Sequence, residues 1–117
     1  MDELKERLAE AIDFADPAGT ELRLGLLLGH SEWTAVEVAE IQTQIARCRG
    51  LVGDFESAER ILDSCQDMSV PVGTVRVRWL LEKGRVLNSS GKPAEAVPLF
   101  EQAVEAADTA GEPGLAV

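Results

Sequence analysis

Residues 80–103 read LLEKGRVLNSSGKPAEAVPLFEQA, and they decide the fold class. Leu80 and Leu87 precede a break, and Ala96, Phe100 and Ala103 follow it, at the spacing of one helix face. Between them stands Ser90-Gly91-Lys92-Pro93. Glycine frees the backbone for a tight turn, and proline is tolerated in the first turn of the next helix. The stretch predicts two antiparallel helices joined by a short loop.

The same pattern extends outward. Val75, Val77, Trp79 and Leu80 start the first of these helices, which runs to about Ser89. Val75 to Val77 alone fits a strand, but Leu80-Leu81-Glu82-Lys83 continues it as a helix. Upstream, Val70-Pro71-Val72-Gly73 is a breaker. Before it, Phe55, Ala58, Ile61, Leu62 and Cys65 form an apolar stripe ending near Met68, entered through a Gly53-Asp54 turn with Asp54 placed to cap. Trp33, Val36, Val38, Ile41, Ile45 and Cys48 predict a long helix ending near Gly50. Leu4, Leu8, Ala11, Ile12 and Ala15 predict a helix over 2–15. Asp16-Pro17 breaks it and offers a new N-cap for a short helix over 17–30. After Ala103, Val104 and Ala107 continue the last stripe until Gly111, Pro113 and Gly114 end it. The fold class is all-α, one domain over 1–117, with helices in antiparallel pairs.

The pairs repeat. Ala46, Gly53, Ala58, Leu62 and Cys65 recur as Gly84, Gly91, Ala96, Phe100 and Ala103, each displaced by 38. Leu8, Ala11, Ile12, Ala15 and Asp16 match Phe100, Ala103, Val104, Ala107 and Asp108, displaced by 92. The chain thus divides into a half repeat over 2–19, an unassigned helical connection over 20–38, and repeats over 39–72 and 77–110.

The string Leu80-x3-Gly84-x2-Leu87-x3-Gly91-x4-Ala96-x3-Phe100-x2-Ala103 resembles the tetratricopeptide repeat signature. The match is good over 77–110 and moderate over 39–72, where Gln42 and Arg49 stand at usually apolar positions. The signature tyrosine is absent, and the displacement of 38 exceeds the 34 residues of that family's repeat. The resemblance implies a short α-solenoid, a superhelix in which Gly84 and Ala96 allow close helix crossings and Phe100 fills a groove. It implies a concave face lined by the first helix of each pair. The residues carried onto that face are Glu40, Thr43 and Arg47, then Arg78, Leu81, Arg85 and Asn88.

Charge gives that face a character. The chain holds 21 acidic and 11 basic residues, a formal charge of −10. A surface so acidic is unsuited to nucleic acid. Segments 2–16, 54–67 and 92–112 each carry −4, while 36–50 is neutral and 74–89 carries +3. The first helices are therefore neutral or basic and the second helices acidic. Arginine's planar fork suits carboxylates and asparagine's amide suits a peptide backbone, so the face would take an acidic or C-terminal peptide segment. Two plainer readings stand beside this one. The arginines form a solvated stripe, or they pair with the acidic helices next to them.

Other residue types narrow the function. Cys48 and Cys65 lie 17 apart with no CxxC and a single histidine, so no zinc spacing exists. Two free buried thiols in a reducing cytoplasm is the plain reading, with a single disulfide as the alternative. His30-Ser31-Glu32 is consecutive, which is no catalytic geometry, and no phosphate loop or calcium loop exists. Trp33 and Trp79 read as packing residues, with Trp33 a candidate interface anchor. No stretch reaches the length of a membrane span. The expected function is a cytoplasmic, non-enzymatic protein–protein interaction module without cofactor. The alternative is a structural or oligomerisation segment of a larger regulatory or scaffold protein, with a homodimer through the exposed faces of the terminal repeats as a further expected pairing.

Overall fold

The computed structural model describes residues 2–30, 32–66 and 74–110. Among these residues there are six helices and no strand: α1 (Asp2–Ala11), α2 (Pro17–His30), α3 (Ala35–Leu51), α4 (Phe55–Ser64), α5 (Thr74–Ser89) and α6 (Pro93–Ala110). The all-α class is as expected. The expected breaker Val70-Pro71-Val72-Gly73, with Met68, and the terminator Gly111, Pro113 and Gly114 lie outside the described residues.

The turns after α3 and α5 are built alike. Asp54 N–H donates to the Arg49 carbonyl at 2.9 Å, and Lys92 N–H donates to the Leu87 carbonyl at 2.8 Å. Gly53 N–H donates to Gly50 and Gly91 N–H to Asn88, again displaced by 38. This pair of bonds is the Schellman cap, which requires a residue with positive φ. Gly53 (φ 85°) and Gly91 (φ 89°) supply it, and no non-glycine residue has positive φ among the described residues. The repeat seen in the sequence is thus a repeat of backbone hydrogen bonds. Asp54 caps α4 through Ser57 N–H at 3.2 Å.

Inside each hairpin the small residues sit at the contact. Ala46, Ala58, Ala96 and Ala103 are fully buried or nearly so. A Cβ on Gly84 would lie 2.7 Å from Cε1 of Phe100, so the ring packs directly on the glycine backbone.

Two apolar clusters share α3. One gathers Leu4, Leu8, Leu24 and Leu27 from α1 and α2 with Ile41 and Cys48 of α3. The other joins Ala39 and Ala46 of α3 to Leu62, Val77, Leu80 and Ala103. Helix α3 packs against α2, α4 and α5, and α5 packs also on α4 and α6. The Cα radius of gyration is 13.3 Å, the ~13 Å expected of a compact domain near 100 residues.

Several boundaries differ from expectation. Helix α1 ends at Ala11 rather than Ala15. Asp13 donates its N–H to Thr20 Oγ1 at 2.9 Å and accepts from that hydroxyl at 2.7 Å, which takes its backbone out of the helix ladder. Arg23 Nε donates to the freed Ala11 carbonyl at 2.8 Å. Asp16 does cap α2, through Gly19 N–H at 3.2 Å. The unassigned stretch 20–38 is most of α2 followed by the entry to α3. Trp33 stands outside α3, because Thr34 and Glu37 form a capping box. Helix α4 closes at Ser64, where the Leu62 carbonyl accepts from the Trp79 indole at 2.8 Å.

Candidate functional site

Helices α3 and α5 lie side by side, and their charged residues meet between them. Arg78 Nε lies 2.9 Å from Glu40 Oε1. Seven residues further along α3, Arg47 Nη1 lies 3.6 Å from Glu82 Oε2. Arg85 Nη1, one turn along α5 from Glu82, donates to the same oxygen at 2.5 Å. Glu40 and Glu82 have side chains only 5 % exposed, so these are interior carboxylates. A buried carboxylate needs paired cations to offset lost hydration. Burial pushes the Glu82 carboxyl above its ordinary value of 4.5, while Arg85 and Arg47 pull against that shift.

Not all seven residues expected on a concave face reach solvent. Glu40, Thr43 and Leu81 are buried, which corrects their assignment to an open groove. The reason is that α3 is flanked by α2 on one side and α5 on the other, so little of it is left free, and Leu81 of α5 turns into the second apolar cluster. Thr43 donates its hydroxyl to the Glu40 carbonyl at 2.6 Å and accepts from Gln44 Nε2 at 3.2 Å. Arg47 and Arg78 are partly covered, and Arg85 and Asn88 reach the surface. The pairing partners also differ from the plainer reading. Arg78 and Arg47 pair across α3 and α5, while Lys83 reaches Asp63 of α4 (3.3 Å) and Arg49 reaches Asp54 at the start of α4 (3.5 Å).

Arg47 holds the centre of this layer. Its guanidinium lies 4.3 Å from the centroid of the Phe14 ring, a cation–π contact with the α1–α2 loop. Its Nε is buried without a hydrogen-bond partner. Beside it a cavity of about 130 Å³ is lined by Arg47, Arg85, Glu82, Leu51, Phe55 and Val86. Two guanidiniums face one carboxylate there, leaving one surplus positive charge against an apolar wall. Sequence reasoning missed Glu82, Phe14 and Phe55. Glu82 had a signal, being the lone acid of the basic segment 74–89.

The remaining candidates are structural. Cys48 and Cys65 are free and buried, and burial pushes both thiols up to about 11. Trp79 is buried in the core, and the Trp33 indole donates to the Leu27 carbonyl at 2.8 Å. The backbone of His30 ends α2, and its side chain lies outside the described residues. No group of three or more His, Cys, Asp or Glu residues able to hold a metal exists among the described residues. No helix among them is long and apolar enough to cross a membrane. A second, wider cleft of about 730 Å³ opens between α1 and α2.

No protein-family model, curated protein or solved structure matches this chain.

Proposed function

We propose that this chain is a non-enzymatic binding module whose two hairpins stack as a short tetratricopeptide-like solenoid. It takes an acidic or C-terminal segment of another protein at the Arg47–Arg85 cavity. One observation carries the reading: two arginines share a single interior carboxylate beside an apolar-lined space. An incoming carboxylate would take the surplus charge, and its neighbouring apolar side chain would lie against Leu51, Phe55 and Val86. Asn88, exposed one turn beyond Arg85, offers an amide that would pair with the peptide backbone. Stacking is supported by α5 packing on both helices of the preceding hairpin. The free thiols suit a reducing compartment such as the cytoplasm.

In this arrangement Glu82 is an internal competitor for the ligand, which makes the test specific. Labelled peptides with free acidic C-termini are titrated against the protein, with amidated copies as controls. Arg85→Glu should abolish binding and Glu82→Gln should tighten it several-fold. Equal affinity for all three proteins, or no binding to either peptide set, overturns the reading. Arg78 is a poorer probe than its charge suggests, because it is committed to Glu40.

A further inference from the structure

Helix α2 presents outward a strip of exposed uncharged residues, Ala18, Leu22, Gly25, Leu26 and Gly29, with exposed Arg23 at its edge. Leu22 and Leu26 are each 67 % exposed, more than any other described large apolar residue. A Cβ added at Gly25 or Gly29 would meet nothing within 4 Å. The leucines are therefore knobs and the glycines holes, alternating along one strip of one helix. The cleft of about 730 Å³ opens over Gly25, Leu26 and Gly29, with Arg7, Glu10 and Arg23 at its rim.

We propose that this face docks a second copy of the same chain, α2 against α2, antiparallel about a two-fold axis between Gly25 and Leu26. Such an axis sets each residue opposite the one whose number completes 51, since 25 and 26 sum to it. Leu22 then faces Gly29 of the second copy, because 22 and 29 also sum to 51 and lie seven apart on one helix line, while the two copies of Leu26 meet on one side of the axis and the two copies of Gly25 on the other. One register seats Leu22 over Gly29 in both directions and packs Leu26 against its own copy. An isologous interface needs this self-complementarity, whereas a face for an unrelated protein does not.

Electrostatics points to the same occupant. A chain of charge −10 repels its own copies over most of its surface. Helix α2 carries only Glu21 and Arg23, which cancel. Glu21 is tied to Arg49 at 2.6 Å and Arg23 to the Ala11 carbonyl. The rim of the cleft holds both signs, so copies related by a two-fold can set arginine toward glutamate. This interface is separate from the Arg47–Arg85 cavity and does not depend on it.

Sedimentation of the intact chain over a roughly hundredfold concentration range tests the docking. A monomer–dimer equilibrium that stops at two copies is expected. Gly25→Gln and Gly29→Gln fill the holes and should abolish the dimer. They should keep or raise the melting temperature, since the space is open and glutamine is the better helix former. The register has its own test by cysteine pairing. Leu22→Cys should cross-link with Gly29→Cys but not with itself, because like positions lie seven residues, ~10 Å, apart along the helix. The native cysteines are buried and do not compete. A wild-type monomer throughout, assembly beyond two, a dimer untouched by both glutamines, or Leu22→Cys cross-linking best with itself overturns the proposal.

Discussion

The α5–α6 hairpin and the α1–α2 corner both join consecutive helices, but they are held by different atoms. At the hairpin the backbone does the closing: Lys92 N–H reaches the Leu87 carbonyl, and Gly91 supplies the positive φ. At the corner side chains do it: Thr20 grips Asp13 from seven residues away, and Arg23 reaches the Ala11 carbonyl from twelve. A backbone joint asks for one glycine and little else. A side-chain joint asks for particular residues at distant positions. The two regions nonetheless share α3, through separate apolar clusters.

The largest expected effect tests whether the regions are one cooperative unit. Leu24→Ala empties a fully buried site in the N-terminal cluster and should cost about 2–5 kcal/mol. Because α3 serves both clusters, denaturant unfolding should stay a single transition with a lower midpoint. A two-step curve would show that the corner and the hairpins melt apart.

Gly84→Leu comes next, at about 1–3 kcal/mol, from overpacking against Phe100. Phe100→Ala in the same chain should recover part of that loss, which a double-mutant cycle measures directly. Thr20→Val should cost about 2 kcal/mol, because it leaves the Asp13 N–H without its partner and removes one of the two donors to the Asp13 carbonyl. If its cost matches an ordinary surface change, the corner is not held by this side chain.

Smaller effects probe the equivalence of the two hairpins. Gly53→Ala and Gly91→Ala should each cost about 1–2 kcal/mol for the left-handed backbone, and the double variant should cost their sum. Unequal losses in chemical denaturation would mean that only one cap matters. The smallest effect is a pH slope. The fold holds a proton on Glu82 more tightly than the unfolded chain does, so this group makes stability fall as pH rises through and above 4.5. Glu82→Gln should flatten that part of the stability–pH curve, leaving the rest in place.

This contrast explains what the sequence made legible. Gly53 and Gly91 leave a mark at fixed spacing, so the hairpins, the small residues at their crossings and the Phe100 packing could be read directly. The corner leaves no such mark, because Thr20 and Arg23 resemble any polar residue on a helix. Periodicity alone therefore carries α1 on to Ala15, past its end at Ala11, and finds no repeat equivalent for 20–38. The candidate site was legible in part. Arg47 and Arg85 could be read from charge and register, but burial of Thr43 depends on the helices flanking α3, and burial of Leu81 on the cluster that joins α5 to its neighbours. A period within one helix cannot report what lies across from it. Phe14 over Arg47 is a tertiary contact between elements 33 positions apart, with no local trace.

The matched caps also give this chain a natural unit of length. Cuts at Gly53 and Gly91 bracket 38 residues whose two ends carry the same backbone bonds, one donated into the cap and one received from it. Such a segment is a cassette: copied in tandem after Gly91, it would meet a joint identical to the one it left. Lengthening the protein by whole hairpins would then require no new turn, only a new pair of faces to bury.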